Sequence, residues 1–235
     1  MPTAINLRHR LPEVMDDLDL DAHRHHRALA GLSRLNLLSR SVATLWSEIA
    51  PLARSAGRRL RLLDLASGAG DIPLGLWRRA RRQGLAIEIR GVDFNPRAVA
   101  FAQSRADRAG ADIHYQRLDV LNSPLPRGFD ILTCSLFLHH LEEAQAADLL
   151  REMSHATSGV VLVQDLVRGR RGLWLAKLAS RLFTASDVVH VDALRSVRAA
   201  FTIDEARRLA GLAGLKGCRL HRRWPCRFLL AWRRP

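Results

Sequence analysis

Between residues 59 and 166 the chain alternates short apolar runs with longer segments of helical periodicity. The runs at 59–65, 86–92, 113–118, 129–135 and 159–166 have strand length. Those at 129–135 and 159–166 are dominated by apolar residues and read as strands buried on both faces. The segments between them, at 71–82, 96–109 and 142–156, carry apolar residues at helical steps, with Pro73 in a first turn and Asn95 before a helix start. Strand-then-helix repetition predicts a parallel sheet with helices on both sides. The 235 residues suffice for one well-buried domain.

Outside this stretch the pattern changes. Residues 1–19 are polar, hold Pro2 and Pro12, and read as a loose arm. From Asp21 a helical pattern runs to Leu52, as one helix or as two broken near Leu37, with Asp19 or Asp21 as its cap. Residues 167–200 are basic and apolar by turns, without a strand. Thr202-Ile203-Asp204-Glu205 opens a last helix, and segments 217–224 and 227–233, separated by Pro225, predict a terminal antiparallel hairpin. The expected division is an arm and helical cap over 1–57 and a main domain over 58–235, with a lid insertion at about 167–200.

The first strand runs into Leu63-Asp64-Leu65-Ala66-Ser67-Gly68-Ala69-Gly70-Asp71, a glycine turn with an acid on each side. The first strand of an open parallel sheet ends where ligands bind, and glycine lets backbone approach a ligand closely. A phosphate loop requires Gly-Lys-Ser/Thr, which is missing. A dinucleotide fingerprint requires a third glycine where Pro73 stands, and Asp64 and Asp71 would repel a pyrophosphate. A cationic ligand without phosphate suits the acids, and S-adenosylmethionine is such a ligand. Asp93 follows the second strand, where a carboxylate can accept ribose hydroxyls. Asp119 follows the third, where a side chain can meet an adenine amino group. The alternative is that Asp93 and Asp119 only cap loops.

On these residues the chain resembles the class I S-adenosylmethionine-dependent methyltransferases. "DLASGAGD" is similar to the turn of ubiquinone and menaquinone biosynthesis enzymes, and "FDILTCSLFLHHL" to the fourth-strand motif of the superfamily. "VQDLVRGRRG", "VHVDALRSVRAAFT" and "EARRLAGLAGL" are similar to small-molecule methyltransferases of polyketide pathways. The resemblance implies a Rossmann-like three-layer α/β sandwich. Its sheet would have seven strands, mostly parallel, with a C-terminal antiparallel hairpin and an N-terminal helical extension. It also implies that Asp64, Ala66, Gly68, Gly70 and Asp71 hold the methionine moiety. Asp93, with Phe94 beside it, would take the ribose. Asp119 and Val120 would flank adenine, and Ser135 and Leu136 would lie beneath the cofactor.

Methyl transfer from a sulfonium rests on positioning and desolvation, with a base needed only when the acceptor loses a proton. His139 and His140 follow the fourth strand and are the candidate bases; of the two, His140 is read as the structural one. His190 with Asp192, Ser196 and Arg198 are candidate substrate contacts. So is Trp174, on an apolar segment 172–183 that would form a greasy lid, a core helix or a membrane-surface contact. His23, His25 and His26 have no settled metal geometry and read as a solvated helix face, so no metal is expected.

The net charge of +14 raises a nucleic-acid reading. All but Lys177 and Lys216 of the 37 basic residues are arginine, and they are scattered, which looks like codon bias. One tyrosine and no arginine–tryptophan interleaving leave no base-stacking platform. The Asn/Asp-Pro-Pro-aromatic motif of exocyclic-amine methylation is replaced by Ser135-Leu136-Phe137-Leu138, so nucleic acid is not the expected partner. Cys134, Cys218 and Cys226 lack disulfide or metal spacing, and no long apolar span or leader pattern is visible. A cytoplasmic protein is therefore expected. The expected function is methylation of oxygen, less readily carbon, on an apolar aromatic or polyketide-like small molecule. The rivals are an RNA or protein methyltransferase and a non-catalytic cofactor-binding regulator.

Overall fold

The computed structural model describes residues 5–17 and 19–235; Pro2 lies outside them. The chain forms β1 (Leu60–Leu65), α3 (Asp71–Arg82), β2 (Ile87–Asp93), α4 (Pro96–Arg108), β3 (Ile113–Arg117), β4 (Phe129–Ser135), α5 (Glu143–Ala156) and β5 (Thr157–Leu166), after two helices α1 (Ala22–Leu38) and α2 (Ser41–Ser55). Then come α6 (Arg170–Phe183), α7 (Asp187–Ala199), α8 (Ile203–Leu212), β6 (Arg219–Arg223) and β7 (Arg227–Arg233). The sheet order is 3-2-1-4-5-7-6. Strands β1 to β5 are parallel, β7 runs antiparallel to β5, and β6 antiparallel to β7. The mostly parallel sandwich with its terminal hairpin is therefore as expected.

Successive residues of a strand face opposite sides, so the sheet feeds two cores. Leu63 and Leu65 of β1 join Leu132 and Cys134 of β4 under α5 and α8. Leu60 and Leu62 join Ile89 and Ile131 under α2, α3 and α4. Side-chain caps fix the helix starts. Asn95 accepts the Arg97 N–H at 2.9 Å ahead of Pro96, and Thr202 and Glu205 form a reciprocal capping box. Asp21 accepts the Arg24 N–H at 2.9 Å at the start of α1.

A third layer of α1, α6 and α7 covers the C-terminal ends of the strands. The α1–α2 break falls at Arg40, whose φ of 56° is left-handed. Arg227 clamps this break from β7, donating to the Ser41 hydroxyl and, at 3.2 Å, to Asn36 Oδ1. Its guanidinium is buried, and desolvation lowers its pKa to about 10 against the charges of Asp165 and Asp71.

The arm is not loose over its described residues. Val14–Asp16 form a single helical turn whose first N–H groups, from Val14 and Met15, donate to the Asp192 carboxylate at 2.9 and 3.0 Å. Arg8 donates to the carbonyls of Ala199, Leu141 and His139 at 2.6, 2.6 and 3.1 Å. Arg168 reaches back to the carbonyls of Ile5 and Asn6. Backbone carbonyls far along the chain bind these arginines, and a local polarity reading cannot see them.

Candidate active site

A cavity of about 830 Å³ opens between the strand ends and the helical layer. That is toward the upper end of small-molecule sites, which span roughly 300–1,000 Å³. One half is polar and built by the β1 turn. Ala66, Gly68 and Gly70 have φ of 52°, 51° and 69°. At Gly70 a Cβ would sit 2.6 Å from the Tyr115 hydroxyl and 2.8 Å from Ala102 Cβ, so the turn has no room for a side chain. The Gly68 N–H donates to Asp93 Oδ2 at 2.8 Å and the Asn95 N–H to Asp93 Oδ1 at 2.9 Å. Asp93 thus holds the turn against the second strand while lining the cavity. Asp119 accepts the Leu121 N–H at 3.0 Å and the Asn122 side chain at 2.8 Å, which lowers its pKa. Both acids hold loops and line the cavity.

Asp64 is buried beneath the turn and accepts the Thr133 hydroxyl at 2.5 Å. Desolvation raises its pKa to about 7, despite the Thr133 bond, with Asp71 and Asp93 adding repulsion. Burial also raises Asp71, opposed by Arg105. A buried carboxylate in this state favours a cationic ligand, because the cation stabilises its ionised form. Phe94, Val120, Ser135 and Leu136 line the same half. The Ser135 hydroxyl oxygen is buried without a hydrogen-bond partner among the described residues. Leu136 carries a left-handed φ of 57° and donates its N–H to the Gln164 carbonyl at 2.8 Å. Left-handed geometry on a β-carbon residue is strain of the sort kept at binding sites.

The other half is apolar, walled by Leu29, Leu32 and Leu35 of α1, Leu175 and Ala179 of α6, and Val197 of α7. The two histidines sit where the halves meet. His139 is buried, with Nδ1 2.6 Å from Asp165 Oδ1 and Nε2 3.5 Å from Glu13 Oε1. Its backbone N–H donates to the other Asp165 oxygen at 3.2 Å. Burial disfavours the imidazolium, but the two carboxylates outweigh it and raise the pKa to about 10. The histidines in turn hold Asp165 low and Glu13 at about 2, each against its own desolvation. His140 is the more exposed of the pair, stacked on Phe137 at 5.9 Å, with Nε2 3.9 Å from Glu13 Oε2. Of the pair it is His139, and not His140, that protein encloses. Glu13 also receives the Ser196 hydroxyl.

Three expected substrate residues do not line the cavity. Trp174 lies on the outer face of α6, 65% exposed. His190 is spent on the Thr184 carbonyl, with Nε2 at 2.8 Å. Arg198 lines no part of the cavity, and its carbonyl accepts the His9 N–H. Asp192 anchors the arm and does not pair with His190; burial lifts it to about 6. His25 is also not part of a solvated face. It is buried, lines the cavity and approaches Asn95 Nδ2 at 3.4 Å. Glu13, His139 and His140 bring metal-capable atoms within 4.8 Å of one another.

Glu13 and Asp165 escaped the sequence reading. Asp165 ends the fifth strand, the same signal that exposed Asp93 and Asp119. Glu13 has no local signal, because only the fold carries the arm to His139.

This geometry can be set beside known proteins. Residues 62–158 match the methyltransferase domain family. The matched stretch holds the glycine turn, Asp93, Asp119 and both histidines. The chain is 33% identical over 105 residues to a demethylmenaquinone methyltransferase of Thermus thermophilus, covering 43% of this chain and 46% of that protein. The chain therefore spans just under half the length of this curated relative. Among solved structures, magnesium protoporphyrin IX methyltransferase of Synechocystis with bound S-adenosylhomocysteine superposes with a TM-score of 0.57 at 18% identity, over 83% of this chain and 84% of that one. An O-methyltransferase family 2 protein of Planctomyces limnophilus in complex with apigenin gives a TM-score of 0.56 at 19% identity, over 74% of this chain and 51% of that one. At such identities the superpositions establish the fold. Among the described residues no helix is long and apolar enough to cross a membrane.

Proposed function

We propose that the methyltransferase domain binds S-adenosylmethionine in the polar half of the cavity and methylates a hydroxyl oxygen of an apolar small molecule in the other. One observation carries this: the acid-bracketed turn and the two histidines open into the same cavity. The bound sulfonium would supply an already activated methyl group. The chain's own task is then to hold, orient and desolvate. Asp64 and the glycine turn suit the ammonium of the methionine moiety, Asp93 the ribose and Asp119 the adenine edge. The unpartnered Ser135 hydroxyl is a further polar group for the cofactor.

His139 keeps its proton between Asp165 and Glu13, with both ring nitrogens engaged, so its role is to hold Glu13 and the end of the fourth strand in place at the acceptor end. His140, at the cavity wall, is placed to take the hydroxyl proton, a contribution of about 10²–10⁴ in rate. The relative named for demethylmenaquinone and the apigenin-bound neighbour support a ring compound as the acceptor class. The leucine wall from α1 and α6 supports an acceptor with an apolar tail.

The test is calorimetric titration with S-adenosylhomocysteine, then transfer of labelled methyl to alkylated phenols and hydroquinones. We expect tight binding that Asp93→Asn weakens, and label on oxygen. Binding without transfer to any hydroxylated ring would leave a cofactor-binding regulator as the better reading.

A further inference from the structure

Helix α6 has two apolar stripes. One, with Leu175, Ala176 and Ala179, faces the cavity. The other repeats every four residues as Trp174, Leu178 and Leu182, which are 65%, 41% and 65% exposed. Phe183 and, from the β6–β7 turn, Trp224 extend it, at 44% and 71%. Leu178, Leu182, Phe183 and Trp224 also line the cavity. The apolar interior is therefore continuous with an apolar outer surface, and these residues form its rim. Scattered exposed apolar residues need no explanation, but a contiguous patch at a cavity mouth does.

Charge says what covers it. Arg170, Arg171, Lys177 and Arg181 flank the outer stripe, and no aspartate or glutamate occurs between Asp165 and Asp187. A helix with tryptophan and leucine on one face and only cations beside it is suited to lie in an anionic bilayer interface. A second copy docked across a two-fold axis would bring these cations against their equivalents. It would also stopper the cavity. We infer that this face of α6 docks on an anionic lipid surface and that an acceptor dissolved in the bilayer enters the cavity between Leu178, Leu182 and Trp224. The docking rests on the surface alone; the entry of an acceptor rests on the function proposed above.

The experiment is co-sedimentation with phosphatidylglycerol or phosphatidylcholine vesicles, without cofactor or acceptor. Binding to the anionic vesicles only is expected. Lys177→Glu with Arg181→Glu should weaken it about tenfold or more, since each basic residue contributes about 1 kcal/mol, about a fivefold factor, near a charged surface. Trp174→Ser should weaken it as well. Arg81→Glu with Arg82→Glu, an equal charge change on α3, should leave it within about twofold. Equal loss in this control would reduce the effect to the +14 net charge and overturn the inference. So would vesicle binding that survives the α6 variants. So would a dimer in sedimentation velocity that Trp174→Ser dissociates. Titration with S-adenosylhomocysteine should be unchanged in every variant. If vesicle binding fails while that titration succeeds, the surface is refuted and the cofactor site stands.

Discussion

Asp64 makes cofactor binding a proton-linked reaction. With a pKa of about 7 it is half protonated in the free protein near neutrality. A ligand ammonium against it stabilises the carboxylate and pulls that pKa down. Binding at pH 7 should then release about half a proton. The sign follows from which form binds. The ligand takes the ionised carboxylate, so below the free pKa a proton must be expelled and affinity falls. For a single group at about 7, affinity drops about tenfold between about pH 8 and pH 6, or ~1.4 kcal/mol. Titrating S-adenosylhomocysteine in buffers of different ionisation enthalpy reads the proton directly, and its ammonium keeps its charge across this range. Asp64→Asn should abolish both the proton release and the pH slope, and should weaken binding most at the alkaline end. Asp71→Asn removes a repelling neighbour of Asp64 and should move the slope to lower pH without abolishing it. An undiminished slope in Asp64→Asn, or no proton release from the wild type, would refute the electrostatic account of the turn.

The remaining predictions concern the arm, the histidines and the turn. His139→Ala leaves Glu13 and Asp165 facing each other without a cation and should cost about 3–5 kcal/mol in denaturant unfolding. Glu13 has a depressed pKa, so its stabilisation is full above about pH 4.5 and should fade toward about 2. Glu13→Gln should flatten that acid limb of the melting curve. His139 has a raised pKa, so its contribution is full below about pH 6.5 and should be lost as pH climbs through about 10. Gly70→Ala, with its Cβ driven into Tyr115 and Ala102, should cost about 1–3 kcal/mol and abolish S-adenosylhomocysteine binding in the same calorimeter. His140→Ala should lower turnover about 10²-fold or more with cofactor affinity retained. An equal loss in both would recast His140 as structural.

The sheet was legible because its central strands are rich in apolar residues, its second strand alternates, and the connecting helices are periodic. Asp93 and Asp119 were legible because the end of a strand is a position the fold itself marks. The third layer was less so. The spacing 25, 29, 32, 36 places His25 on the cavity face of α1, yet its neighbours His23, Arg24, His26 and Arg27 are charged or polar and hide it. Helix α6 presents two apolar stripes, and periodicity alone does not say which turns inward; Trp174 lies on the outer one. Glu13 could not be read at all. Its partners His139, His140 and Ser196 come from β4's end and α7, and nothing in "LPEVMDD" announces them.

The double engagement of Asp93 has a consequence for how a nucleoside is received. One carboxylate oxygen is committed to Gly68 and the other to Asn95 before any ligand arrives. Its orientation is thus settled in advance, and each oxygen has a second lone-pair direction for the sugar hydroxyl proposed to meet it. Recognition there adds acceptor geometry to a fixed frame, so ordering the loop subtracts little from affinity.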